Sequence, residues 1–203
     1  MCNVARRVAL EDLHEVGNAA PLLGATVRVD ALVLMGHVLI QLPPGKAHLQ
    51  LRSLLDLPLP DVPNRASGDN PSLMWLGPRA WVAITDHADA AGPLATHAAT
   101  ALRAAGGHAV DLSDAHQSLR VSGRDASSLL NQGCPLDLES ATFSEGSATR
   151  TSLARMPAIL HRDRADSYVL HVDRSLASQF WDWLTLGVQE MAALALVAAR
   201  SAR

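Results

Sequence analysis

Residues 57–64 read Leu57-Pro58-Leu59-Pro60-Asp61-Val62-Pro63-Asn64, and the three prolines exclude a helix there. Each proline lacks a backbone N–H and pushes the residue before it toward extended geometry. The stretch is a loop that continues through Gly68 and Pro71. Upstream, 32–42 is rich in Val, Leu and Ile and meets Pro43-Pro44-Gly45, which reads as a strand closed by a turn. Between them, 46–55 carries Leu49, Leu51, Leu54 and Leu55 and suits a short helix. Downstream, 72–76 and 80–85 flank Gly77-Pro78 and read as a hairpin.

The next segment, 90–105, reads as a helix. Pro93 fits its first turn, Leu94, Ala98, Ala101, Leu102 and Ala105 line one side, and Gly106-Gly107 stops it. Two alternating strands follow at 109–113 and 118–122, with Val110/Leu112 and Leu119/Val121 on one face each and a turn at 114–117. Ser122 or Asp125 can cap a helix at 124–131 whose Ala126, Leu129 and Leu130 face inward. Gly133 is placed to be its left-handed terminator, and Pro135 prevents the helix from resuming. A second hairpin spans 156–161 and 167–172. The last helix begins near Ser175 with Leu176, Phe180 and Trp183/Leu184 inward, and 188–199 is an Ala/Leu-rich helical tail with Met191, Leu194 and Leu196 apolar. Such a mixture indicates an α+β protein of two small sandwich domains with a C-terminal helix: an arm at 1–30, a first domain at 31–107 and a second at 108–203.

Composition narrows the functional classes. With 48% hydrophobic and 18% charged residues over 203 positions, the chain has globular composition. A net charge of -3 offers no dominant basic surface, so nucleic acid is not an expected partner. Arg6 and Arg7 are followed by Glu11, Asp12, His14 and Glu15, which leaves no apolar signal-peptide core. The longest apolar run, 31–35 and 38–40 around Gly36-His37, is too short to span a bilayer. A cytoplasmic protein without a membrane partner is the expectation. Cys2 and Cys134 are too few for a disulfide framework or a four-thiolate zinc site.

Chemistry-bearing motifs are sparse. The nine histidines show no HxxxH or HxH pair with a third ligand, so no metal site is expected; His161 and His171 can approach across the second hairpin as a polar pair. Cys134, between Gly133 and Pro135, reads as an inert thiol unless a base activates it. There is no Walker loop and no GxGxxG after a strand. Asp111/Asp114, Asp61/Asp69 and Asp163/Asp166 lie in loops or turns, where Asp bonds its own backbone. Arg150 beside Thr151 is either a guanidinium fork for a carboxylate or phosphate, or a surface ion pair. On the last helix Trp181 and Trp183 sit two apart and so face different sides. With Phe180 and Leu184 in the core, Trp181 is expected to emerge, making Trp181 and Trp183 interface candidates; packing under the tail is the alternative.

Several of these motifs together resemble one family. Leu76-Gly77-Pro78-Arg79-Ala80-Trp81 is similar to its Leu-Gly-Pro-acid-x-Trp signature, with Arg79 where an acid is usual. The stretches 110–114, 119–126 and 129–130 follow the pattern of folate-binding aminomethyltransferases. Gly133-Cys134-Pro135-Leu136-Asp137-Leu138, Phe143, Gly146, Arg150-Thr151 and 174–184 resemble the gamma subunit of heterotetrameric sarcosine oxidase, and the likeness covers roughly residues 70–186.

This resemblance implies the aminomethyltransferase-like fold and a noncatalytic subunit that stabilises a flavoenzyme complex. The complex converts sarcosine to glycine with formaldehyde or methylenetetrahydrofolate and hydrogen peroxide. Its partners would be alpha, beta and delta subunits. FAD, FMN, NAD, zinc and tetrahydrofolate would be held by those other chains and no cofactor by this one. Aminomethyltransferases place a Gly-rich turn and a catalytic Asp where this chain has Leu153-Ala154-Arg155-Met156-Pro157-Ala158-Ile159-Leu160, without carboxylate or glycine. No catalytic residue is therefore expected, although a residual folate-like pocket near Trp81 and Arg150 remains open. The alternatives are the small subunit of a related N-methyl amino acid dehydrogenase, for example one acting on N-methylglutamate, and a stand-alone folate-binding module.

Overall fold

The computed structural model describes residues 26–44, 55–60, 62–139 and 141–201. The expected helix at 46–55, apart from its last residue, and most of the arm at 1–30 lie outside these. The chain forms two compact units. One comprises 1–33, 117–145 and 150–203; the other comprises 34–116 and 146–149.

The unit comprising 34–116 and 146–149 is built on a five-stranded sheet. Its order is β3 (Ala66–Ser67), β4 (Ser72–Gly77), β5 (Ala80–Thr85), β2 (Gly36–Gln41) and β6 (His108–Asp111). The hairpin around Gly77-Pro78 is present as β4–β5, with Trp75 opposite Trp81. Helix α1 (Ala91–Leu102) packs on β2 and β6 through Ala91, Ala95, Ala98 and Leu102. These small side chains let the helix lie close to Val38 and Ile40 of the sheet, while Leu94 and Ala101 flank the contact. Gly106 ends the helical segment in the left-handed conformation (φ 72°), as the Gly106-Gly107 pair suggested.

Two expectations change here. The apolar run 32–42 is not one strand. It is broken at Val33–Leu34, where Leu34 takes φ 59°: its first residue, Leu32, ends β1 (Arg28–Leu32), and the rest that is strand is β2, in a different sheet. The division between residues 107 and 108 also shifts. β6 hydrogen-bonds to β2, so the chain leaves this unit only after His116. On β6 the inward residues are Ala109 and Asp111, and Val110 is 44% exposed.

The other unit holds the sheet β1, β7 (His116–Ser122), β10 (Ser167–Asp173), β9 (Met156–Arg164) and β8 (Ala148–Leu153), in that order. β9 and β10 form the expected second hairpin. Against one face lie α2 (Ala126–Asn131) and α3 (Ala177–Ser201), with Leu129, Leu130, Phe180, Trp181 and Leu184 meeting Leu119, Val121, Leu160 and Leu170. Each large apolar side chain taken fully from water stabilises the fold by about 1.5–3 kcal/mol. Asp125 begins α2, but its carboxylate accepts from the Thr26 hydroxyl instead of capping the helix.

Gly133 has another role than the one its position suggested. It is not among the positive-φ glycines of the described residues. A Cβ there would meet Cζ2 of Trp183 at 2.6 Å and the backbone N of Ala154 at 2.9 Å. Its hydrogen atom makes room for an indole and for the bond from Ala154 N–H to its own carbonyl (3.0 Å). A second close approach occurs at Gly187, where a Cβ would lie 2.4 Å from Cδ1 of Leu129.

Trp181 is a correction as well. It does not emerge to a surface: it is 4% exposed inside the core, and Trp183 packs half-buried against the same core. Both fit because α3 is embraced on more than one side at this turn, with Trp183 lying over the bare backbone of Gly133. We expect Gly133→Ala to cost about 1–3 kcal/mol, seen as a lower thermal midpoint. Gly77→Ala, with no atom within 4 Å of the added carbon, should stay within about 0.5 kcal/mol of the parent.

Candidate functional site

The segment after α2 is organised by a buried arginine. Strand alternation puts Arg162 on the same face of β9 as Ala158 and Leu160, where the core lies. Its side chain is buried, and its acceptors among the described residues are backbone carbonyls. Nη1 donates to Phe143 O (2.8 Å) and, at 3.5 Å, to Leu138 O; Nε donates to Ala165 O (3.1 Å), to which Nη2 also donates. Tyr168, its cross-strand neighbour, lies under the guanidinium (5.3 Å from carbon to ring centroid) and donates its hydroxyl to Leu138 O (3.0 Å). Burial raises the pKa of the Tyr168 phenol, which keeps it a donor at neutral pH.

The loop supplies the other half of this arrangement. Leu138 and Phe143 enter the core, Asp137 accepts from Glu139 N–H and the Thr142 hydroxyl (both 3.0 Å), and Asn131 accepts from Leu138 N–H (3.3 Å). Asp137 thus shapes the loop and Arg162 holds it to the sheet. The guanidinium was missed in the sequence because it lies beside a charged turn; its parity with Leu160 was the available signal.

The named candidates are placed as follows. Cys134 is half-buried, with Sγ 3.9 Å from Oγ1 of Thr151, a hydroxyl and not a base that could take its proton. Trp81 is fully buried in the core of the unit comprising 34–116 and 146–149, so its indole is presented to no open surface. Arg150 is exposed and belongs to the other unit. His161 faces Val169 and His171 faces Ile159, which makes the two histidines diagonal rather than direct neighbours; His171 Nδ1 instead lies 2.8 Å from the Ser118 hydroxyl. Asp163 is paired with Arg120 (2.9 Å). Among the described residues no three His, Cys, Asp or Glu side chains are grouped to hold a metal ion. The two residues of the Ala154-Arg155 turn both sit at positive φ (49° and 67°) without being glycine.

A second polar cluster surrounds His37. Its ring stacks on His116 (centroids 5.4 Å apart, 22° between planes), its backbone N–H donates to the Ser113 hydroxyl (3.0 Å), and Ser113 donates to Asp111 from both backbone N–H (2.9 Å) and hydroxyl (2.5 Å). Burial, with the neighbouring His116, lowers His37 to about 4. The arrangement is a stacked pair that braces β2 against the turn before β7.

Comparison with known proteins identifies these motifs. The model of the family described as sarcosine oxidase, gamma subunit family, matches residues 46–190. A sarcosine oxidase subunit gamma from Arthrobacter sp is 31% identical over 169 residues, 81% of each chain. One from Corynebacterium sp. (strain P-1) is 28% identical over 190 residues, 92% of each chain. Among solved structures, heterotetrameric sarcosine oxidase from Corynebacterium sp. U-96, in complex with pyrrole 2-carboxylate, contains a chain that superposes with a TM-score of 0.82 at 26% identity, over 92% of this chain and 96% of that one. The glycine cleavage system aminomethyltransferase T from Bartonella henselae shares the fold, with a TM-score of 0.62 at 14% identity over 87% of this chain and 56% of that one. The expected α+β, aminomethyltransferase-like fold is therefore found.

Two outcomes are expected from this geometry. Arg162→Met leaves buried carbonyls short of donors and should cost about 2–4 kcal/mol in a denaturant titration. Arg162→Lys, which keeps the charge but not the fork, should recover only part of that. His37 has a folded pKa below its ordinary value, so its contribution is present above about pH 6.5 and is lost as pH falls toward about 4. Stability should drop by about 3 kcal/mol across that window, and His37→Gln should flatten the slope in pH-dependent urea melts.

Proposed function

The chain belongs to the sarcosine oxidase gamma subunit family, and from this we propose that it is a noncatalytic subunit stabilising a sarcosine-oxidase-type flavoenzyme. The observation that carries the proposal is the joint match, along nearly the whole chain, of its sequence to gamma subunits and of its fold to a chain of a heterotetrameric sarcosine oxidase. Asp137, Arg162 and Tyr168 form a clasp on the loop after Gly133–Leu138, and it supports the noncatalytic part: these polar groups are engaged in fixing the loop.

In this proposal alpha, beta and delta chains are the partners, and flavins, NAD, zinc and tetrahydrofolate are held by them. The assembled complex converts sarcosine to glycine in the cytoplasm, with formaldehyde or methylenetetrahydrofolate and hydrogen peroxide as the other products. A free-standing folate module is disfavoured by the complete burial of Trp81.

Co-expression with the companion subunits should yield a flavoprotein that produces peroxide from sarcosine. The chain purified alone should be colourless, inactive on sarcosine and without heat when titrated with tetrahydrofolate. Recovery of the tagged chain from its own cells without any flavoprotein partner would overturn the proposal.

A further inference from the structure

Helix α3 runs on past the core. Phe180, Trp181, Leu184, Gly187 and Ala192 are buried, whereas 193–201 are all exposed. An apolar run, Met191-Ala192-Ala193-Leu194-Ala195-Leu196-Val197-Ala198-Ala199, begins at the edge of the core and continues through the exposed part, and no residue in it is charged. Leu194 is 70% exposed, Val197 61% and Leu186 55%. At 3.6 residues per turn, Leu186, Ala193 and Val197 fall on one line along the helix, with Leu194 and Leu196 on its two flanks. Glu190 and Arg200 lie near the same line on either side of the segment 193–199, about 15 Å apart along the axis. A helix apolar on every side normally has its surface covered.

We propose that the end of α3, from Ala193 to Arg200, is a docking helix that inserts into an apolar groove of another subunit of the complex. The groove would present a cation near Glu190 and a carboxylate near Arg200. This inference rests on the subunit proposal and adds the surface and the chemistry of its partner.

Dimensions select this occupant. The nine exposed residues make a cylinder about 13.5 Å long and 10 Å across, or about 420 Å² of surface. Two copies pairing side by side cover about half of it each, about 400 Å² in total, against about 1,200 Å² or more in stable specific interfaces. A groove covers more of the circumference, and another subunit can add contacts elsewhere on this chain. The helix with its preceding turn, Arg174–Ser201, is long and apolar enough to cross a membrane by length and composition. Its first half, however, is committed to the core, and about 13.5 Å of free helix is short of a hydrocarbon layer of about 30 Å.

The test uses the full chain and the double variant Leu194→Glu/Val197→Glu, at exposed positions where folding should be unchanged by circular dichroism and melting. Each is co-expressed with the companion subunits. The variant should join the flavoprotein at least tenfold less at 1 µM, and in the parent hydrogen exchange at 193–200 should slow on assembly. Equal incorporation of parent and variant overturns the docking helix while leaving the subunit proposal standing; a parent that joins no flavoprotein overturns both. Three further outcomes would overturn it in favour of another occupant. These are a parent dimer in light scattering that the variant abolishes (a second copy), flotation with phosphatidylglycerol/phosphatidylethanolamine vesicles lost in the variant (a membrane), and exchange at 193–200 unchanged on assembly (cover by residues 1–25 of the chain itself).

Discussion

The Arg162 guanidinium is the point on which the loop after α2 depends. A buried charge without a buried carboxylate is costly unless its donors are met, and here carbonyls from two segments meet them. Leu138 O receives both Arg162 and Tyr168, so one peptide group ties the loop after α2 to two adjacent strands. The loop in turn brings Leu138 and Phe143 into the core. Remove the arginine and both the charge and the loop lose the compensation that each supplies to the other.

Much of this was legible in the sequence, and the misses share a cause. Local signals were sound: Gly77-Pro78 gave its hairpin, Gly106-Gly107 its helix end, and Ala126, Leu129 and Leu130 their buried face. What local signals do not carry is which neighbour a segment will meet. Gly133 was read as a backbone terminator, yet its small size serves Trp183, fifty residues later. Trp181 was expected outside because a helix is ordinarily covered on one face, and this one is covered on more. The run 32–42 looked continuous because nothing in its composition marks the left-handed turn at Leu34.

The candidate site was legible as a family mark and less so as chemistry. The motif from Gly133 to Leu138 pointed to the right relatives, and its Cys134 lies with Sγ 3.9 Å from the Thr151 hydroxyl. The turn at Ala154-Arg155 keeps the left-handed backbone that a glycine would ease, at a cost of about 1–2 kcal/mol per residue. Its bond to the Gly133 carbonyl shows what holds it: the turn is fastened to the same segment as the clasp.

Neither unit is a continuous stretch of chain: 1–33, 117–145 and 150–203 make one, and 34–116 with 146–149 the other. A polypeptide leaving the ribosome therefore holds all of the latter unit by residue 149, while the former still lacks β9, β10 and α3. Until they appear, Leu119, Val121, Leu129 and Leu130 have no hairpin to pair with and no helix above them. At about 5–20 residues per second that interval lasts several seconds. Synthesis thus imposes an order on the chain, in which one unit is complete early and the other closes only with the final helix. Residues 193–201, later still in the chain, stand clear of that finished core.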